Sequence, residues 1–385
     1  MRRLALGLLL ASTFAHAAPF TPKSDAEVVE RLPAASDPAL RTVESLRRQL
    51  AARPDDATLR LDIAQRYFDL AMAQGDPRYV GYASAALAPL EKTSANQPRY
   101  WLLRGLLQQY SHDFDGALAS LDKASTLDPA APDPVSWRAA IRMVQARYAE
   151  AAAECDKLAA VATPLFAQGC AAYVQASTGR LEEAYEALLK TPAAGATPEL
   201  RLWQSTRLAE MAVRLQRWDE AERHYRTALD QRITDQFLLA SYADFLLLRG
   251  RPAEVLKALE GWERSDVLLL RLAMAGRAAG DPRATEWTGQ LKARFQAAEQ
   301  RGERLHEQEA ARWALDLEGD ARRALALARS NYEKQKEPRD AEILMRAALA
   351  AKEPAAAKPA VQWLRSNRYQ DKALEQLAAQ LGGDK

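Results

Sequence analysis

Apolar residues along this chain recur at steps of three and four, the spacing of helices that each bury one face, and not at the alternating spacing of strands. Around residue 112 the pattern is clearest. Trp101, Gly105 and Gln108 precede a turn at His112-Asp113, and Ala117, Leu121, Ala124 and Leu127 follow it. Asp128-Pro129 then ends the second helix, because the residue before a proline is pushed out of the helical region. The block therefore predicts helix, short turn, helix, turn.

That block repeats. A small or polar residue, then Arg or Asp, an aromatic or apolar residue, a polar pair and Ala appear at Asp113-Phe114-Asp115-Gly116-Ala117 and Arg147-Tyr148-Ala149-Glu150-Ala151. They return at Gly179-Arg180-Leu181-Glu182-Glu183-Ala184 and Arg217-Trp218-Asp219-Glu220-Ala221, with a looser copy at Gly250-Arg251-Pro252-Ala253-Glu254-Val255. Further copies begin at Gly75, Gly280 and Gly319. The alanine or its replacement falls at 83, 117, 151, 184, 221, 255, about 284, 324 and about 360. In each copy the aromatic residue or leucine at the turn is expected to staple the second helix onto the first. The alanines let two backbones approach closely.

A unit of about 34 residues with this small/large pattern resembles the tetratricopeptide repeat family. Trp101, Gly105, Phe114, Ala117, Leu121, Ala124 and Pro129 carry the resemblance. Tyr148 with Ala151, Leu181 with Ala184, and Trp218 with Ala221, Tyr225 and Ala228 extend it. It implies an all-α solenoid of stacked antiparallel hairpins in a right-handed superhelix, roughly nine units with capping helices. The expected organisation is a leader peptide over 1–17, a flexible segment over 18–36 and a capping helix over 37–52. A regular array over 53–270 follows, then degenerate helical repeats and a terminal cap over 271–385. Departures are a lengthened first turn at Ala73–Tyr79, a slack connection at Ala193–Thr197, and a long helix from about Thr285 to Arg301 with a register break near Gly302.

The amino terminus sets a compartment. Met1-Arg2-Arg3, the short apolar run Leu4–Ala11 and the small residues of Ala15-His16-Ala17 form a secretory signal pattern, cut after Ala17. The run is too short to span a bilayer, which takes about 20 apolar residues. The mature protein is read as exported and periplasmic. Loss of Arg2 and Arg3 from the 53 basic residues leaves 51 against 51 acidic ones, so no net charge favours nucleic acid or an anionic membrane surface.

Candidate chemistry is sparse. Of the histidines beyond the leader, His112 falls in a turn and His224 on an outer face, with no nucleophile at motif spacing. No glycine-rich phosphate loop, nucleophile elbow or zinc-protease helix occurs. Glu303 and His306, three apart, share a helical face on this reading, but metal sites of that kind need a matching pair on a facing helix, so charged helix surface is the preferred account. No cofactor or metal is assigned. Trp101, Trp203, Trp218 and Trp313 sit at core spacings and read as packing. Cys155 and Cys170 flank the turn at Ala162-Thr163, which places them side by side on antiparallel helices. They either form a disulfide, worth about 3 kcal/mol for such a loop, or remain two separately buried small hydrophobes.

Stacked hairpins make a concave channel lined by the first helix of each unit. Aligning the units puts Gln65, Phe68, Leu106, Gln109, Ala140, Met143, Tyr173, Glu210 and Asp244 inward. The subfamily that clamps a terminal carboxylate places lysines and asparagines here, where this chain has Leu102, Leu106, Ser136, Ala140, Gly169 and Tyr173. An apolar groove turning acidic in later units points to an amphipathic or basic peptide. The leading expectation is a non-catalytic scaffold that binds a protein or peptide partner, in envelope or export-machine assembly. Two alternatives stand beside it: an accessory subunit or enzyme with its site in the irregular carboxyl-terminal third, and a glycan-binding repeat protein of polysaccharide export. The oligomeric state is not legible.

Overall fold

A computed structural model describes Ser24, residues 38–304 and residues 306–382. The expected leader peptide over 1–17 lies outside the described residues, as does all of the 18–36 segment except Ser24. Among the described residues the regular structure is helical. A capping helix α1 (Pro38–Ala52) precedes nine hairpins. Their helices are α2 (Ala57–Gln74) and α3 (Arg78–Leu87), α4 (Pro98–Tyr110) and α5 (Phe114–Leu127), and α6 (Pro132–Val144) and α7 (Tyr148–Leu158). Next come α8 (Pro164–Ser177) and α9 (Leu181–Lys190), α10 (Pro198–Arg214) and α11 (Trp218–Leu229), and α12 (Gln236–Leu248) and α13 (Pro252–Ala258). The last three pairs are α14 (Asp266–Ala279) and α15 (Ala284–Gln300), α16 (Glu307–Trp313) and α17 (Ala321–Lys334), and α18 (Pro338–Ala350) and α19 (Lys358–Ser366). Helix α20 (Lys372–Gly382) closes the array.

Local sequence explains the helix starts. Asp56, Asp113, Thr163, Thr197, Asp235, Ser265 and Asp320 each accept a backbone N–H of the first turn. Prolines begin α4, α6, α8, α10, α13 and α18, where the missing N–H has no helical partner to lose. The turn inside every hairpin contains one left-handed residue: Gly75, His112, Ala146, Gly179, Gln216, Gly250, Gly280, Gly319 or Lys352. In seven of these turns the N–H of the next residue bonds back to the carbonyl five positions earlier, as Arg147 N does to Arg142 O at 2.8 Å. The repeat is thus closed by backbone conformation even where glycine is absent.

The small residues sit where two helices of a hairpin touch. Ala83, Ala117, Ala151, Ala184, Ala221, Val255, Ala324 and Ala360 are fully buried, and Ala284 is half-buried. A Cβ on Gly105 would come within 2.8 Å of the Leu121 side chain, and one on Gly169 would run into the Trp203 ring. The crossings are set by size.

Two expectations are corrected. The first hairpin turn is not lengthened: α3 begins at Arg78, and only Gly75–Pro77 separate the helices. Glu303 and His306 do not share a helical face. The chain leaves α15 after Gln300, Glu303 pairs with Arg301 at 2.6 Å, and His306 is the residue capping α16. The eighth hairpin departs further, because α16 runs into a π-turn over Ala314–Glu318 before Gly319.

The array also winds tightly enough to touch itself. Gly75, in the first hairpin turn, packs on the Gln236 side chain at the start of α12. Lys336 N, before α18, donates to Val144 O at 2.7 Å. Trp363 Nε1 donates to Tyr148 Oη at 3.0 Å, and Leu181 N donates to Gln370 Oε1 at 2.8 Å. Arg214 donates to Gln370 O and stacks on Tyr369, and Lys372 reaches Gln216. Each early hairpin turn meets a hairpin about five units later, so the superhelix forms two stacked layers. One continuous core joins Ala139 to Ala378, whereas the first hairpins keep smaller cores of their own.

Candidate functional site: a cavity between the later first helices

The two layers and the superhelical curvature leave a central cavity of about 660 Å³. Its wall comes from the inner faces of α8, α10, α12, α14, α16 and α18, with α20 at one side. Helix α12 supplies a stripe at helical spacing, Phe237, Ser241, Asp244 and Leu248. Phe237 and Leu248 are 36% and 61% exposed, unusual values for large apolar side chains. They mark the two ends of the stripe.

Charge occupies the middle. Asp244 lies between Arg271 of α14, at 2.7 Å, and Arg312 of α16, at 3.1 Å. Burial opposes ionisation of Asp244, but the two guanidinium groups outweigh it and hold the carboxyl well below its ordinary range. Arg207 of α10 pairs with Glu210 at 2.8 Å and lies over the rings of Tyr173 and Phe237, 4.3 and 4.8 Å from their centres. Ser241 links Tyr225, at 2.7 Å, to Glu210, at 3.4 Å. Across the cavity, Arg339 pairs with Glu337 at 2.7 Å, and Arg346 pairs with Asp316 at 2.5 Å. Burial raises the pKa of Glu342. Seven basic and five acidic side chains line the cavity.

The predicted inward residues divide by layer. Tyr173, Glu210 and Asp244 line this cavity. Phe68 and Leu106 are instead buried in the core of the first hairpins, Phe68 edge-on to Trp137, and Met143 in the continuous core, so they offer no surface to a partner. Gln65 is half-buried and donates to Asp69 at 2.8 Å, Gln109 is half-buried, and Ala140 is exposed. None of these six lines the cavity. The expected acidic turn of the later units is corrected: the five carboxylates Glu210, Asp244, Glu337, Glu342 and Asp371 are outnumbered by seven cations, among them Arg207, Arg271, Arg312, Arg339 and Arg346. Extrapolated spacing missed Arg312, Arg339 and Arg346 because the register slips near Gly302, and because Asp244 meets Arg312 across 68 residues.

The remaining candidates also have places. Cys155 of α7 and Cys170 of α8 form a disulfide with Cα atoms 5.5 Å apart, tying the third hairpin to the fourth. His224 contacts the Tyr185 hydroxyl at 3.0 Å on the second-helix side of the array. His112 is half-buried between layers, where burial, with His306 and Lys334 nearby, lowers its pKa to about 4. Trp313 is buried, and Trp101, Trp203 and Trp218 are half-buried. Among the described residues no group of three or more His, Cys, Asp or Glu side chains is placed to hold a metal ion.

These features define an all-α solenoid with an enclosed inner face. No family model matches the chain, and no curated protein does. Solved structures do. A chain of the APC/C hetero-tetramer Cut9-Hcn1 is 16% identical, with a TM-score of 0.54 over 89% of this chain and 66% of that one. The type IV pilus biogenesis factor PilW is 19% identical over 63% of this chain and 94% of its own, with a TM-score of 0.38. A tetratricopeptide repeat protein from Parabacteroides merdae is 14% identical over 74% of this chain and 98% of its own, with a TM-score of 0.36. At these identities the likeness is one of fold. The architecture is that of a tetratricopeptide-repeat solenoid.

Proposed function

We propose that this protein is an exported, non-catalytic scaffold that binds an extended segment of a protein partner in its central cavity, within envelope or export-machine assembly. The observation that carries the reading is the α12 stripe, whose ends Phe237 and Leu248 are exposed inside a cavity lined by six first helices. Apolar side chains left open in a concavity are what a binding site retains and a purely structural wall buries. A non-catalytic role is supported by the pairing of the cavity carboxylates Glu210, Asp244, Glu337 and Glu342 with arginines.

Export is supported by the signal pattern over 1–17 and by the Cys155–Cys170 bond, since disulfides persist in oxidising compartments. Among the described residues no helix is long and apolar enough to cross a membrane.

Site-specific photo-crosslinking in cells tests the proposal. A crosslinker at position 248, in the cavity, is expected to capture a protein. One at the exposed Arg226 of α11, on the second-helix side, is expected to capture none. Equal capture from both positions, or capture from 226 alone, overturns it.

A further inference from the structure

The cavity distinguishes among peptides. Phe237 and Leu248 are eleven positions apart on one face of α12, about 16 Å at the helical rise. An extended peptide covers that distance in about five residues. The cavity lining as a whole is basic on balance, with seven cationic side chains against five carboxylates. At the midpoint the carboxylate of Asp244 is shared by Arg271 and Arg312, and Glu342 and Asp316 also act on Arg312.

Unsatisfied polar groups also sit in the cavity wall. Arg207 Nε and Arg271 Nε are buried N–H donors without a hydrogen-bond acceptor among the described residues. The Gln308 amide, one turn before Arg312 in α16, also has no partner, although the residue is 4% exposed and lines the cavity. A wall with more cations than carboxylates favours a negatively charged guest.

We infer that the cavity selects a short extended segment with an acidic side chain between two apolar ones. The apolar residues seat near Phe237 and Leu248, and the internal carboxylate lies toward Arg312 and the arginines of α18. This inference rests on the peptide-binding reading above and adds the sign of the charge and the spacing. The charge is on a side chain inside the segment, so a free chain end is not required.

Fluorescence anisotropy with three labelled, end-capped peptides tests it: leucine-serine-glutamate-serine-serine-phenylalanine and its counterparts with glutamine or lysine in place of the glutamate. The glutamate peptide is expected to bind about tenfold tighter than the glutamine peptide, and the lysine peptide weakest. Added salt should narrow the difference. Arg339 is 43% exposed and Leu248 is 61% exposed, so both can be replaced without emptying the core. Arg339→Gln should shrink the preference for glutamate over glutamine, and Leu248→Ser should weaken all three peptides alike.

If the glutamine or lysine peptide binds as well as the glutamate peptide while Leu248→Ser still weakens them all, the charge assignment falls and peptide binding survives. If no peptide binds, both fall. An unaltered charge preference in Arg339→Gln removes the arginines of α18 from the site and overturns the placement.

Discussion

The early and late hairpins share one backbone plan and put it to different uses. In both, helix pairs touch at a small residue and close with a left-handed turn. Both also bridge successive first helices with an ion pair: Asp62 of α2 with Arg99 of α4, and Asp244 of α12 with Arg271 of α14. The early pair is open to solvent, with side chains 35% and 41% exposed, whereas the Arg271 side chain is 3% exposed. The inner faces of the early hairpins are filled by Phe68, Leu106 and Met143. Those of the later ones are lined by arginines around a cavity. Periodic packing therefore leaves the chemistry of each inner face free to vary.

The ion pairs give the largest test of that contrast. Asp244→Ala strands Arg271 in the wall and should lower unfolding free energy by about 3 kcal/mol. Asp62→Ala should cost at most about 1 kcal/mol. Urea denaturation of both variants measures the gap, and equal losses would erase the distinction between the two halves.

Acid sharpens the comparison at the seam between layers. His112 has a pKa of about 4 in the folded chain, below its ordinary value, so folding favours the neutral ring. Its contribution is complete above pH 6.5 and is lost as the pH falls toward 4. The loss should be on the order of 2 kcal/mol after discounting for partial solvent access. His112→Asn, which tolerates the left-handed backbone and does not titrate, should flatten that segment of the stability–pH profile. An unchanged profile would remove His112 as the cause.

The smallest effect concerns the turns. Ala146 holds φ near 56° where five other hairpins use glycine. Ala146→Gly should stabilise the chain by about 1 kcal/mol, whereas Gly250→Ala should destabilise it by a similar amount. Thermal unfolding of the two variants reads both signs, and destabilisation by Ala146→Gly would show that the methyl group's contacts outweigh its backbone strain.

Much of the hairpin plan was legible because Ala117, Ala151, Ala184 and Ala221 recur beside an aromatic residue or leucine, and small/large alternation is a local signal. The left-handed turn was only half legible. Gly179 and Gly250 announce it, but His112, Ala146 and Gln216 adopt it under the pull of the helices on either side. The cavity was least legible. Tyr173, Glu210 and Asp244 were reachable by counting units, but Arg312 and Arg339 lie beyond the slip at Gly302. The contact between Leu181 and Gln370 spans 189 residues and leaves no periodic trace.

Layer stacking also bears on how the chain comes apart. A solenoid joined only to its immediate neighbours can fray from either tip, one hairpin at a time. Here the Tyr369–Lys372 turn is fastened to the start of α9 and the end of α10, and Trp363 to Tyr148. Loosening the carboxyl-terminal tip therefore withdraws bonds from the middle of the array, which couples distant hairpins into a shared melting event. Long-separation closures of this kind also slow assembly, since the seam forms only after the intervening hairpins have brought its two sides together.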